Sequence, residues 1–206
     1  MTNINKYKID FDENDLLVID DFLDTDEIEI SKQYVKSVKN QDKNQDKNQD
    51  KNNNQNNQTA GKPFNTEVNF FNQKIKNKEL SKHMHQKLKP FLKQYEDTTG
   101  IWEPTTGCGY IFMANYEPGN NFSIHTDTGC YYTKNGKSSH TLLVYLNDDF
   151  EGGETSFYNQ NFKHIMTIKP KRGRAILFNI LLWHTGEKLY TGEKYWIGTE
   201  IVSKRF

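Results

Sequence analysis

Apolar residues fall along this chain in short runs separated by turn-forming clusters, with two different periods. Leu16-Leu17-Val18-Ile19 has the length and β-branched content of a short buried strand. Asp24 then offers an N-cap to a helix carrying Ile28, Ile30, Tyr34, Val35 and Val38. A second helical pattern spans Lys78 to Glu96, with Leu80, Met84, Leu88, Phe91, Leu92 and Tyr95 at spacings of three and four. Pro90 lies inside it and can kink or split it. From Tyr110 the period changes. Tyr110 to Tyr116 is a continuous apolar and aromatic run that ends at Glu117-Pro118-Gly119-Asn120. After a polar loop at Lys134-Asn135-Gly136-Lys137 comes His140 to Leu146, then the turn Asn147-Asp148-Asp149, and later the run Ala175-Ile176-Leu177-Phe178. Short strands and turns at this spacing predict a sandwich or barrel, braced on its outer face by the two helices.

One stretch has neither period. From Gln41 the tetrad Gln-Asp-Lys-Asn repeats three times and runs on through Gln58 with no apolar residue. Such a tract cannot bury enough surface to offset chain entropy, so residues 41–60 are expected to be a disordered insertion, a neutral expansion rather than a partner-binding tether. It accounts for much of the low mean hydropathy of −0.91. Around it the chain reads as one interrupted domain: an N-terminal strand and helix (1–40), a supporting helical part (61–107) and a β core (108–206).

Charge adds mainly exclusions. Lys plus Arg number 27 and Asp plus Glu 27, so no global field recruits nucleic acid or an anionic membrane. The basic cluster Lys169 to Arg174 reads as a solvated turn. Met1 to Asp10 is polar and no run approaches eighteen apolar residues, which predicts an intracellular, cytoplasmic protein without a membrane span. Cys108 and Cys130 lack zinc-type spacing and are expected to be reduced.

The candidate chemistry lies in His125-Thr126-Asp127, His184 and Lys194. On an extended segment, residues i and i+2 project from one side, so His125 and Asp127 can reach one metal, with His184 supplied by a distant strand. Two imidazoles and one carboxylate can cap one face of an octahedral Fe(II), leaving three positions for an organic acid and dioxygen, which a closed structural zinc site would not. The remaining histidines, His83, His85, His140 and His164, have no such partners and are assigned no metal.

The stretch from about Cys108 to Val202 resembles the catalytic domain of the 2-oxoglutarate- and Fe(II)-dependent oxygenases, in the prolyl 4-hydroxylase-like branch. The resemblance rests on Tyr116-Glu117-Pro118-Gly119, His125-Thr126-Asp127, Tyr145-Leu146-Asn147, Glu151-Gly152-Gly153-Glu154-Thr155, Pro170-Lys171-Arg172-Gly173-Arg174-Ala175, His184 and Gly192-Glu193-Lys194. It implies a mainly β (α+β) fold, a double-stranded β-helix or jelly roll with supporting N-terminal helices. It also implies Fe(II) on His125, Asp127 and His184, and 2-oxoglutarate with its far carboxylate on Lys194, helped by Tyr116 and Thr141. The charges agree: Fe(II), Asp127, 2-oxoglutarate and Lys194 sum to zero, so the assembly can be buried. The implied reaction is hydroxylation of an unactivated C–H bond, most naturally of a peptidyl proline, using O₂ and releasing succinate and CO₂, with ascorbate as an optional reductant. A lysyl residue or small molecule as substrate, or a metal-binding jelly-roll sensor without turnover, are the alternatives.

Overall fold

Residues Lys194–Arg205 form the longest strand, and its first ten residues are all buried. A sheet with such a strand at its centre must be covered on both faces. The computed structural model, which describes residues 4–8, 15–49, 69–97, 99–129, 131–133 and 135–205, has that arrangement. The strands in chain order are β1 (Ile4–Lys8), β2 (Asp15–Ile19), β3 (Phe71–Lys76), β4 (Tyr95–Asp97), β5 (Gly100–Gly107), β6 (Tyr110–Tyr116), β7 (Phe122–His125) and β8 (Tyr132–Thr133). They continue with β9 (Gly136–Tyr145), β10 (Glu151–Gly152), β11 (Thr155–Tyr158), β12 (His164–Ile168), β13 (Ala175–Asn179), β14 (Trp183–Gly186), β15 (Leu189–Thr191) and β16 (Lys194–Arg205). Among the described residues the helices are α1 (Thr25–Gln49), α2 (Lys78–Leu88) and a 3₁₀ turn, Lys89–Phe91.

Ten strands form the major sheet, in the order β1-β2-β13-β9-β16-β5-β4, with β6 pairing to β16 and β3, and β8 to β9. The minor sheet, β12-β11-β14-β7, has four. All their pairings are antiparallel. Side chains alternate across the major sheet, and this divides the core in two. One set, including Ala114, Tyr116, Leu143, Tyr145, Ile176, Phe178 and Trp196, packs with Phe157 and Ile168 of the minor sheet. The other, including Met113, Leu142, Val144, Leu177, Tyr195 and Ile197, packs with Ile28, Val35 and Val38 of α1 and Met84 and Leu88 of α2. The fold is a mainly β jelly roll with bracing helices, as expected.

Several local expectations are corrected. In α1 the buried positions are Ile28, Ser31, Val35 and Val38, while Ile30 is 68% exposed. Two residues on from Ile28 is roughly 200° around a helix, which carries Ile30 to the far side. The same helix continues through Gln49, into the tract expected to be disordered from Gln41. Adding a residue to an established helix needs no new nucleus, and Asp42 Oδ2 accepts from Gln73 Nε2 at 3.3 Å. The second helix ends at Leu88, well short of Glu96: Lys89–Phe91 is a 3₁₀ turn around Pro90, and Tyr95 opens β4. Residues 61–107 are therefore not simply helical, since β3, β4 and β5 belong to the major sheet. Gly136 and Lys137, read as loop, begin β9. Expectations attached to Cys130 and to the tract beyond Gln49 fall outside the described residues. No helix among those described is long and apolar enough to cross a membrane.

The start of α1 is tied to α2 by Glu27. Its carboxylate accepts from the Asp24 backbone N–H at 2.8 Å while the Glu27 N–H donates to Asp24 Oδ1 at 2.9 Å, a reciprocal capping pair. The same carboxylate meets Lys87 Nζ at 2.5 Å and His83 Nε2 at 2.8 Å. Burial alone would raise the Glu27 carboxyl, but the hydrogen bonds from Lys87, the Asp24 backbone and His83 outweigh it and hold it at about 2. Because the folded value lies below the ordinary 4.5, this stabilisation is complete above that pH and is lost as pH falls toward 2. Glu27→Gln should therefore flatten the loss of stability between pH 4.5 and 2 in urea melts, and Glu27→Ala should cost about 1 kcal/mol at neutral pH.

Candidate active site

The two sheets face each other across a cavity of about 390 Å³. At one end, β7 and β14 pair so that His125 and His184 are direct cross-strand partners. Their ring centroids are 4.2 Å apart. Asp127 follows β7, its backbone N–H fixed to the Ile180 carbonyl at 2.8 Å. Its Oδ1 lies 3.8 Å from His125 Nε2 and 3.9 Å from His184 Nε2. Potential ligand atoms of the three residues all lie within 4.8 Å of one another.

The histidine tautomers follow from the backbone. His125 Nδ1 is 2.7 Å from the Ser123 carbonyl and His184 Nδ1 is 2.8 Å from that of Leu182, in each case the residue two positions earlier. A carbonyl only accepts, so Nδ1 carries the hydrogen and Nε2 presents a lone pair. Burial first, and then the neighbouring His184 imidazole, push His125 well below the ordinary histidine range, outweighing the Asp127 carboxylate. Two lone pairs and a carboxylate converge where their mutual repulsion is relieved by a bound cation. This donor set fits an N,N,O metal site.

At the other end stands Lys194, 1% exposed. Its Nζ donates to the Gly153 carbonyl at 2.6 Å and lies 4.7 Å from the Tyr116 ring centroid and 5.3 Å from that of Tyr145. Gly153 has φ +67°, and an added Cβ would come within 3.1 Å of Lys194 Cδ, so a glycine both turns the chain and makes room for the lysine. Burial lowers the Lys194 pKa to about 7, against the opposing pull of Glu154 and Glu187. Among the described residues one of its N–H donors is committed to protein, at the Gly153 carbonyl, and the ammonium has three.

Tyr116 pairs directly with Lys194 across β6 and β16. It is fully buried, its hydroxyl accepts from the Trp196 indole, and burial pushes its ionisation far up, so it stays a phenol whose O–H remains available to donate. Gly186 packs against it: a Cβ there would sit 2.7 Å from the Tyr116 hydroxyl. Behind both strands, Asn115 Nδ2 lies 3.3 Å from the Tyr116 carbonyl and 3.4 Å from that of Lys194. Asn115 in turn accepts from Lys39 of α1, which also reaches Glu117 at 2.6 Å.

Of the six residues singled out from sequence, His125, Asp127 and His184 lie together at one end of the cavity and Tyr116 and Lys194 lie together at the other. Thr141 does not stand beside Lys194. Register pairs it with Glu200, six residues further along β16, and its hydroxyl donates to Asp127 Oδ2 at 2.5 Å. It therefore orients the carboxylate at the opposite end from the lysine. Near Lys194 the sequence reading assigned no role to Tyr145 or Thr155, whose hydroxyls lie 2.6 Å apart, or to the Gly153 carbonyl. All three lie in motifs quoted for the resemblance, so the signal was present without its function. His83 binds Glu27, His85 is buried among core residues, His164 contacts Thr167, and His140 adjoins Ser139, so none joins the triad.

Residues 111–199 match the family model described as the 2OG-Fe(II) oxygenase superfamily. The chain is 31% identical over 101 residues to a candidate prolyl 4-hydroxylase of Acanthamoeba polyphaga mimivirus, covering 40% of each chain. It is 34% identical over 84 residues to the Arabidopsis thaliana protein named "Probable prolyl 4-hydroxylase 3", covering 32% of this chain and 29% of that one. The chain thus spans less than half the length of these relatives. Its fold matches a Pseudomonas putida prolyl-4-hydroxylase, with TM-score 0.56, 14% identity, and 93% and 92% of the two chains covered. It also matches a viral collagen prolyl hydroxylase from Paramecium Bursaria Chlorella virus-1 in a 2OG complex, with TM-score 0.54, 19% identity, and 93% and 96% covered. Residues 111–199 thus resemble the 2OG-Fe(II) oxygenase superfamily, and the relatives and fold neighbours named here are prolyl hydroxylases. That family implies Fe(II) and 2-oxoglutarate.

The buried lysine makes the ligand-free protein sensitive to pH. Lys194 titrates near 7 when folded and near 10.5 when unfolded, so between those values the unfolded chain binds more protons and stability rises with pH. Lys194→Met should remove that rise, which for one proton approaches about 1.4 kcal/mol per pH unit. Urea denaturation of both proteins across this range checks it.

Proposed function

We propose that this chain is an Fe(II)- and 2-oxoglutarate-dependent dioxygenase that hydroxylates a peptidyl proline and releases succinate and CO₂. The observation that carries the reading is the pairing of two features in one cavity. Two imidazole lone pairs and a carboxylate converge at one end, and a buried ammonium stands at the other. Proline as the substrate class draws support from the names of the relatives, and the peptide from a Trichoplax adhaerens prolyl hydroxylase, a fold neighbour described in complex with a hypoxia inducible factor fragment.

In this reading His125, Asp127 and His184 hold Fe(II), whose chemistry when bound is activation of O₂ coupled to oxidative decarboxylation of 2-oxoglutarate. The backbone carbonyls of Ser123 and Leu182 keep both Nε2 atoms deprotonated and aimed, so no tautomer change accompanies metal binding. Thr141 holds Oδ2 of Asp127 and leaves Oδ1 toward the histidines. Lys194 receives the far carboxylate of 2-oxoglutarate, and the Tyr116 hydroxyl, already accepting from Trp196, donates to it. Phe122 stacks on His125 at 3.6 Å and Phe178 lies edge-on to His184 at 4.7 Å, which excludes water from the sides of the ligand set.

Protein loaded anaerobically with Fe(II), then given 2-oxoglutarate, O₂, ascorbate and proline-rich peptides, should yield succinate together with a peptide heavier by one oxygen atom. Succinate without a modified peptide would redirect the search to lysyl or small-molecule substrates. Bound metal without succinate would instead favour a sensor. Asp127→Ala and His184→Ala should abolish succinate release and weaken Fe(II) binding with the fold retained by circular dichroism. Lys194→Ala should retain iron but lose about 3–5 kcal/mol of 2-oxoglutarate affinity, roughly two to three and a half decades. Unchanged affinity in that variant would remove Lys194 from the site.

A further inference from the structure

Just before β3, Phe70 is 8% exposed and fills a gap behind the site. Its ring stacks on Tyr116 with centroids 4.0 Å apart and an interplanar angle of 29°. It meets the edge of Phe122 at 5.5 Å, and the Phe122 ring in turn stacks on His125 at 3.6 Å and 21°. One ring thus touches the residue beside Lys194 and, through a single intermediary, the first imidazole of the triad. The backbone around Phe70 is pinned on both sides. The Asn69 carbonyl accepts from Asn120 Nδ2 at 2.6 Å, Asn69 Oδ1 accepts from the Asn121 N–H at 3.3 Å, and the Phe70 carbonyl accepts from Asn72 Nδ2 at 3.2 Å. The two bonds of Asn69 fasten it to the loop joining β6 and β7, the segment that carries the chain from Tyr116 to His125, and the third bond closes the turn between Phe70 and Asn72.

We propose that Phe70 is a positioning residue, fixing the Tyr116 ring beside Lys194 and, through Phe122, the His125 imidazole. The proposal rests on the assignment of this site to iron and 2-oxoglutarate. The Trp196 indole and Gly186 meet Tyr116 at its hydroxyl end, whereas Phe70 stacks on the face of its ring. Stacked aromatic pairs of this kind are equivalent to roughly two- to tenfold in an equilibrium constant. Removing the ring should therefore act on co-substrate binding first, and on iron binding through the longer path second.

The test compares Phe70→Leu and Phe70→Met, which keep apolar volume without a ring, with Phe22→Leu. Phe22 is buried at 4% exposure in the other half of the core, against the helices and away from the cavity. Calorimetric titration of 2-oxoglutarate into anaerobic Fe(II) protein gives its Kd, a separate titration gives the Fe(II) Kd, and thermal melts give Tm. The Phe70 variants should raise the 2-oxoglutarate Kd by roughly three- to tenfold and the Fe(II) Kd by less. Phe22→Leu should lower Tm comparably with both constants unchanged. If both Phe70 variants bind 2-oxoglutarate as wild type does, or if Phe22→Leu weakens it equally, Phe70 is only a core residue. Wild-type protein that takes up Fe(II) but no 2-oxoglutarate would overturn the proposed function and this inference together, so the wild-type titration separates the two failures.

Discussion

Two short hydrogen bonds, from His125 Nδ1 to the Ser123 carbonyl and from His184 Nδ1 to the Leu182 carbonyl, fix what this cavity can bind. Each makes an imidazole a neutral donor of one lone pair and aims that lone pair at the same volume as the Asp127 carboxylate. The two lone pairs meet in one volume because β7 and β14 are antiparallel neighbours with the two histidines in register on the inner face. A one-residue slip of either strand would turn its histidine to the outside. The minor sheet has few strands, and holding this register is its clearest contribution to the site.

The major sheet supplies the opposite constraint. Along β16 the inward residues are Lys194, Trp196, Gly198 and Glu200, and the outward ones include Tyr195 and Ile197, which pack under the helices. A lysine at 1% exposure in such a strand is costly without an anionic partner, and its lowered pKa records that cost. Both faces of the sheet serve the lysine. Inside, Tyr116 and Tyr145 line its ammonium; outside, Asn115 bridges the carbonyls of Tyr116 and Lys194 and connects them to Lys39 of α1. The helices thereby brace the Lys194 end of the cavity as well as the apolar core.

Much of this was legible in the sequence, for reasons that also set its limits. The His-x-Asp spacing needs only the two-residue period of a strand, so two members of the triad could be read locally. His184 lies 59 residues beyond His125 and could be joined to it only by resemblance, because strand pairing is not encoded in spacing. The same gap misplaced Thr141, whose neighbour is set by the register of β9 on β16. Tyr145 and Thr155 meet through their hydroxyls, ten residues apart across a turn, a contact that no periodicity announces. Leu88 ends α2 because Pro90 follows, as sequence allowed, whereas Ile30 points outward because its phase, not its hydrophobicity, decides its face.

The central claim is that one Fe(II) sits between His125, Asp127 and His184 with 2-oxoglutarate running from it to Lys194. Crystals grown anaerobically with Fe(II) and 2-oxoglutarate, with diffraction recorded on both sides of the iron absorption edge, test it most directly. The account predicts a single anomalous peak within bonding distance of the Nε2 atoms of both histidines and an oxygen of Asp127, with a carboxylate of the co-substrate on Lys194 Nζ. An iron peak elsewhere, or 2-oxoglutarate bound with Lys194 uninvolved, would contradict it.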